Sequence, residues 1–154
     1  MRRVRDTDKQ VTHDEAMSIL KAAEYGVLST VDKAGQPYGV PLNYIVLDED
    51  IIYLHCALEG HKLDNISQNS QVCFTVVGYS EIVPSSFTAK YESVIVFGKA
   101  RLTGEPEKIK MLTALVKKYS PEFQDKGMKV IEAFKDKCAV IRIEMEDITG
   151  VKKR

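Results

Sequence analysis

The chain has no tryptophan, only three cysteines and no excess of charge of either sign. Lysine plus arginine equals aspartate plus glutamate at 22 each, so no net field attracts the protein to nucleic acid or an anionic membrane. No apolar run approaches the length of a membrane span, and residues 1–10 lack the apolar centre of a signal peptide. We therefore expect one globular domain over residues 1–154, in the cytoplasm, without nucleic-acid or membrane partners.

Metal-binding and disulfide patterns are also missing. The cysteines are odd in number and widely spaced, and each lies in an apolar, strand-like stretch that is typical of a free thiol in a reducing compartment. The histidines add no metal-ligand spacing to them. We therefore expect no bound metal at any of these residues, which are Cys56, Cys73, Cys138, His13, His55 and His61.

The common catalytic motifs are absent as well. The sequence contains no Gly-x-Ser-x-Gly, no Walker loop and no dinucleotide-binding glycine fingerprint. Its carboxylates fall in predicted turns and on helix surfaces, where they suggest no isolated acid–base pair. If the protein is an enzyme, we expect its reactive group to come from a cofactor.

The apolar periodicity predicts about six strands, together with helices near the start, in the middle and late in the chain. The predicted strands span 27–31, 37–46, 51–54, 72–79, 91–103 and 139–148, and residues 80–90 are predicted to be an exposed loop. Since no regular crossover helix separates successive strands, the pattern favours a small antiparallel barrel. Such barrels are often filled by their own side chains, so a large cofactor is expected outside, at a dimer interface.

Residues 51–69 contain the most informative local pattern. An apolar run, 51–54, ends before Gly60, where glycine permits a sharp change of backbone direction. A helix is predicted from His61, with Leu63 and Ile66 on its buried face and Lys62, Asp64 and Asn65 pointing elsewhere. Free N–H groups, the helix dipole and Lys62 together make an anion site that suits a cofactor phosphate. A loop with one solvated lysine explains the spacing equally well.

Pro41 interrupts the strand predicted over residues 37–46. Proline cannot donate to a β-ladder and is confined to strand starts, bulges and edges. Two interpretations remain: a plain edge strand, or a sheet whose free backbone groups face a flat ligand.

Five segments carry a resemblance to a known family. They are GVLSTVDKAGQPYGVPLNYIV, IIYLHCALEGHKLDNI, NSQVCFTV, SVIVFGKARLTG and RIEMEDITGVKK, from about residue 26 to 153, with HCALEGHK as the most specific part. Together they resemble the FMN-binding split-barrel superfamily, and within it the NimA-like 5-nitroimidazole resistance proteins, relatives of pyridoxamine 5′-phosphate oxidase. The resemblance implies a mainly β, antiparallel split barrel with Greek-key topology, and a homodimer that binds FMN between its subunits.

The resemblance also implies which residues hold the cofactor. The backbone of Val40, Pro41, Leu42 and Asn43 would line the isoalloxazine, and His55, Cys56 and Ala57 would continue that wall. The phosphate region would be held by His61 and Lys62, and His61 is also the candidate catalytic proton donor. Tyr91 and Ser93 would complete the pocket from the partner chain.

The chain departs from true pyridoxamine 5′-phosphate oxidases, which carry arginine-rich stretches where this chain has GVPLNY and EGHK, and a C-terminal signature with tryptophan. The expected activity is therefore that of an FMN-dependent oxidoreductase that reduces a small acceptor such as a nitroaromatic ring. Two alternatives are a related protein that uses haem or a deazaflavin, and a non-catalytic FMN-binding module.

Overall fold

The computed structural model describes residues 2–154, in which seven strands form one antiparallel sheet, three α-helices lie against it and a fourth packs mainly on the third helix. The strands are β1 (Gly26–Val31), β2 (Pro37–Leu42), β3 (Ile45–Leu47), β4 (Ile51–Cys56), β5 (Gln71–Val83), β6 (Thr88–Thr103) and β7 (Ala139–Lys153). The helices are α1 (His13–Ala22), α2 (His61–Gln68), α3 (Glu107–Tyr119) and α4 (Gln124–Phe134). The predicted antiparallel, mainly β fold is confirmed, with seven strands rather than six. None of the helices in this range is both long and apolar enough to cross a membrane.

The order of the strands, β2-β1-β5-β6-β7-β4-β3, places β2 and β3 at opposite edges of the sheet. These two strands are nevertheless consecutive in the chain, joined only by Asn43 and Tyr44. Three residue steps from Leu42 to Ile45 span at most about 11 Å, so the sheet curves until its edges lie close together. The prediction of a single strand over residues 37–46 is therefore wrong. The curvature of the sheet is consistent with a split-barrel-like fold.

Residues 80–90 do not form the predicted loop. β5 and β6 remain paired as far as Val83 and Thr88, and only residues 84–87 make the turn, with Phe87 in the left-handed region at a φ of 51°. The end of this two-stranded ribbon has no buried face, so its sequence lacks the apolar alternation that identifies a strand. A glycine inside a predicted strand indicates a β-bulge at Gly98, and a register shift between Phe97 and Gly98 confirms it.

The core has two parts, one on each face of β4. Ile52 and Leu54 point into the main core, which α1 and α2 close. Ile51 and Tyr53 point to the opposite face, where α3 packs on them with Met111, Leu112 and Leu115. Because both faces of β4 are covered, its sequence is a continuous apolar run rather than an alternating one.

The beginnings of α1 and α2 follow the sequence closely. The sequence Thr12-His13-Asp14-Glu15 predicts a capping box at the start of α1, and the structure confirms it: the Glu15 N–H donates to Thr12 Oγ1 at 3.2 Å and the Thr12 N–H donates to Glu15 Oε2 at 3.1 Å. In α2, Asn65 was expected to point outward, but it is buried and its Nδ2 donates to Thr30 Oγ1 at 2.9 Å. A buried amide of this kind stays favourable because it is paired.

The connection between β2 and β3 is held by the end of α3. Tyr119 Oη accepts from the Tyr44 N–H at 3.1 Å and lies 2.6 Å from the Glu24 carbonyl oxygen. Beside it, Lys118 Nζ donates to the carbonyls of Ala23 at 3.0 Å and Tyr44 at 3.1 Å. Burial lowers the pKa of Lys118 to about 8. These contacts fix the segment that crosses between the two edges of the sheet.

Candidate functional site

Residues 57–62 connect β4 to α2 and include the first two residues of that helix. They form an open helix start that we call the Gly60 turn. Gly60 has a φ of 150° and caps α2 without any side-chain hydrogen bond. The N–H groups of Leu63 and Asp64 both donate to the Gly60 carbonyl at 3.1 Å, so α2 itself leaves the N–H groups of His61 and Lys62 without an intrahelical acceptor. The exposed end of α2 therefore presents free donors and the positive end of a helix dipole.

Lys62 and His61 add side-chain donors to the Gly60 turn, which also carries the exposed carboxylate of Glu59. Lys62 is half-buried and, within residues 2–154, forms no ion pair with a carboxylate. Burial raises the pKa of the Cys56 thiol, and the nearby charge of Lys62 opposes that shift. The ring of His61 stacks on the ring of Tyr38, with centroids 4.0 Å apart and planes tilted by 30°. Backbone donors, an ammonium group and an imidazole are a donor set that fits a phosphate group.

The contact between His61 and Tyr38 places the Gly60 turn beside β2. This strand is at the edge of the sheet and pairs only with β1, which confirms the edge position predicted from Pro41. The side chains of Val40 and Leu42 pack against the main core. A ligand lying along the free edge of β2 would therefore meet backbone groups rather than these two side chains.

A second feature lies behind β4, where α3 and α4 leave a cleft with a volume of about 630 Å³, which we call the helix cleft. Two of the predicted cofactor-wall residues, Asn43 and His55, lie in its lining. Asn43 Nδ2 is engaged by the Glu24 carbonyl at 2.9 Å. His55 is open to water on one side, yet burial against the protein lowers the pKa of its imidazole. The neutral form of its imidazole is consequently favoured more than in a free histidine.

The remaining predicted site residues are placed differently. Ala57 is exposed in the Gly60 turn, whereas Cys56 is half-buried against the main core. Tyr91 and Ser93 lie on β6, which is separated from β2 by β1 and β5, so one chain does not bring them to the Gly60 turn. Their assignment to the partner's pocket stays a prediction, as do the binding roles of the other residues.

Sequence reasoning missed Tyr38 and the whole helix cleft. Tyr38 carried no usable signal in the sequence, because only the folded chain brings its exposed strand beside the turn that contains His61. For the cleft, α4 and the residue before it carried a usable signal, because Phe123, Val130 and Phe134 are apolar and stay exposed at 61%, 49% and 54%. A helix with apolar residues on more than one face is a sign of a further surface to be covered.

The curved antiparallel sheet and the open anion-type turn define a protein of the split-barrel-like class. A family model described as pyridoxamine 5′-phosphate oxidase matches residues 12–152, and the chain belongs to that family. No curated protein matches the chain.

Several solved structures share the fold at low identity. A candidate 5-nitroimidazole antibiotic resistance protein from Bacteroides thetaiotaomicron is 22% identical, with a TM-score of 0.73 over 92% of this chain and 84% of that one. The flavocytochrome Anf3 from Azotobacter vinelandii is 19% identical, with a TM-score of 0.79 over 99% and 72%. A FAD-binding protein from Mesorhizobium loti is 21% identical, with a TM-score of 0.67 over 94% and 95%.

Proposed function

We propose that this protein is a homodimeric, FMN-dependent oxidoreductase that reduces small acceptors such as nitroaromatic compounds. The single observation that carries the proposal is the Gly60 turn, where an uncapped helix start, Lys62 and His61 meet beside the free edge of β2. Membership of the pyridoxamine 5′-phosphate oxidase family and fold relatives described as flavin-binding support it.

The residues of this chain divide the work of binding. Lys62 and the N–H groups of His61 and Lys62 would neutralise and orient the phosphate, and the free edge of β2 at Val40, Pro41 and Leu42, with Asn43 beyond it, would face the ring system. The stacking on Tyr38 fixes the His61 imidazole at the Gly60 turn, which favours a phosphate-binding role over its second candidate role as proton donor. The flavin, when bound and reduced by an external donor, supplies two electrons and two protons, which convert a nitro group to a nitroso group and water.

The outer face of β6 supports the proposed dimer. Tyr91, Ser93, Ile95 and Phe97 alternate with the buried Val94 and Val96, and so they share the outward face of that strand. Ile95 and Phe97 are exposed, and Phe87 is fully exposed at the far tip of the β5–β6 ribbon. Exposed apolar side chains on one face of a sheet favour an interface. Pairing two copies through this face would offer Tyr91 and Ser93 to the partner's cofactor.

The cofactor assignment is tested by Lys62→Ala, with Lys21→Ala on the exposed side of α1 as a control of equal charge change. Loss of one charge-assisted contact of about 1.5 kcal/mol predicts roughly tenfold weaker FMN binding in the first variant only, with unchanged folding. The flavin released from the purified protein identifies FMN or FAD. Protein that shows no flavin absorbance even after incubation with either one refutes the assignment.

The dimer is tested separately by Phe97→Asp, with Val130→Asp as a control because α4 packs mainly on α3 and not on β6. Sedimentation analysis is expected to show monomers for the first variant and dimers for the second. A wild-type protein that sediments as a monomer at every concentration contradicts the proposed interface.

A non-catalytic flavin-binding role is the second candidate. The Gly60 turn favours this role, because its donors fit the binding of a phosphate. Among residues 2–154 no carboxylate pairs with Lys62 to form an acid–base pair. Under this alternative the protein retains flavin yet gives no turnover with reductant and nitroaromatic acceptor, whereas the oxidoreductase oxidises reductant in proportion to acceptor consumed.

A further inference from the structure

The helix cleft has the dimensions and chemistry of a small-molecule site. Its volume of about 630 Å³ falls within the range of pockets that enclose small organic ligands. Leu112, Leu115 and Val116 of α3 form one wall, and Val130, Ile131 and Phe134 of α4 form the other. The walls alone would accept any apolar molecule of suitable size.

The charged groups around the helix cleft narrow the choice. Its lining includes Lys126 and Lys135 but no aspartate or glutamate. Lys135 is paired with the exposed Glu132 at 3.2 Å, whereas Lys126 has no carboxylate within ion-pair distance among residues 2–154. A mainly apolar cavity whose lining holds an unpaired cation and no carboxylate favours a ligand with an apolar body and one negative charge.

The uncharged polar groups point to the same class of ligand. Burial lowers the pKa of His55, which favours an uncharged imidazole in the lining, beside which an apolar ring can pack. Ser120 and Tyr119 border the same cleft at the end of α3. Convergence of a few polar groups on an otherwise apolar cavity fixes the orientation of a bound molecule.

We infer that the helix cleft binds a planar aromatic carboxylate, with its ring between α3 and α4 and its carboxylate towards Lys126. The cleft shares Asn43 and His55 with the predicted cofactor wall. That the bound carboxylate also carries the nitro group that would be reduced rests on the proposed function. Binding of the carboxylate itself does not.

The test uses the full-length protein and two fluorescent probes of equal size, 2-naphthoate and 2-naphthylmethylammonium. We expect 2-naphthoate to bind saturably and the cation to bind at least tenfold more weakly, because only the anion complements Lys126. Acetate at the same concentration is expected not to displace 2-naphthoate, since it has no ring to occupy the apolar walls. Equal affinity for both probes, displacement by acetate or the absence of saturable binding would overturn the inference.

Two charge reversals on α4 locate the site. Lys126→Glu is expected to weaken 2-naphthoate binding about fivefold in about 0.01 M salt, and the difference is expected to shrink in about 1 M salt as the charge is screened. Lys129→Glu makes the same change in net charge on the same helix but outside the lining, and it is expected to leave affinity unchanged. Equal effects of the two variants would show a general field rather than a site.

Flavin content, measured in the same samples, separates this inference from the proposed function. Retained flavin with no preference for the anionic probe contradicts the carboxylate site alone. Intact probe binding in protein that takes up no flavin contradicts the oxidoreductase alone. If the partner subunit covers the helix cleft in the dimer, the probe cannot enter it. Monomeric Phe97→Asp would then bind 2-naphthoate and the wild type would not. That result would overturn the inference for the assembled protein.

Discussion

Removing the Tyr119 hydroxyl is expected to destabilise the connection between the two edges of the sheet. In Tyr119→Phe the Tyr44 N–H loses its acceptor at 3.1 Å, and no other hydrogen bond to this N–H exists among the described residues. The two carbonyls near the hydroxyl keep partners, because Glu24 still accepts from Asn43 and Tyr44 still accepts from Lys118. The change thus leaves one partly buried donor unsatisfied, which costs about 2 kcal/mol of the free energy of unfolding.

Urea denaturation measures this loss directly. We expect a lower midpoint with an unchanged slope, and a melting temperature lowered by about 4–8 °C for a chain of this size. Tyr25→Phe is the matched control, because Tyr25 is 58% exposed and its hydroxyl makes no hydrogen bond within residues 2–154. A loss of less than about 0.5 kcal/mol in Tyr119→Phe, or one equal to the control, would refute the assigned role of the hydroxyl.

Three further predictions concern packing, protonation and a helix start. Gly98→Ala is expected to lower the free energy of unfolding by about 1–3 kcal/mol, because a Cβ there would clash with the Glu144 carbonyl oxygen. Urea unfolding of wild type and His55→Gln is expected to show that wild type loses more stability as pH falls below about 6.5: burial lowers the folded-state pKa of His55, so the unfolded chain takes up the proton first. Thr12→Ala is expected to lower the free energy of unfolding by about 1 kcal/mol, since it removes the α1 cap.

Each of these has its own control. Gly104→Ala introduces the same methyl group where nothing lies within 4 Å, and a loss as large as that of Gly98→Ala would contradict the steric reason. An NMR titration of the His55 ring gives its pKa, and a value at or above the ordinary 6.5 would contradict the assigned shift. Ser67→Ala removes an exposed hydroxyl outside the cap, and a loss matching that of Thr12→Ala would discount the capping box.

Local patterns predicted the parts of the fold that local chemistry determines. The capping box at Thr12, the start of α2 after Gly60 and the bulge at Gly98 each depend on a few neighbouring residues, and each is confirmed. The break at Asn43 and Tyr44 was missed because distant residues cause it. Tyr119, 75 residues away, supplies the acceptor for the Tyr44 N–H that a continuing strand would have supplied.

The candidate site was predictable to a similar limit. The anion-type turn could be recognised from Gly60 and Lys62 because its donors are consecutive in sequence. Burial of Asn65 was not recognised, since its partner, Thr30, lies on another element. The helix cleft depends on how α4 packs against α3, and the apolar pattern of a helix does not specify which neighbour it meets.

The direct connection from one edge of the sheet to the other restricts where the protein tolerates added sequence. Extra residues between Asn43 and Tyr44 would lengthen the two-residue loop between β2 and β3 and allow the two edges of the sheet to separate. The turn at residues 33–35 joins the neighbouring strands β1 and β2 and lies at the surface. A peptide tag inserted there is therefore expected to leave the curvature of the sheet unchanged. A fluorescent label for following cofactor exchange therefore belongs in that hairpin rather than at the crossover.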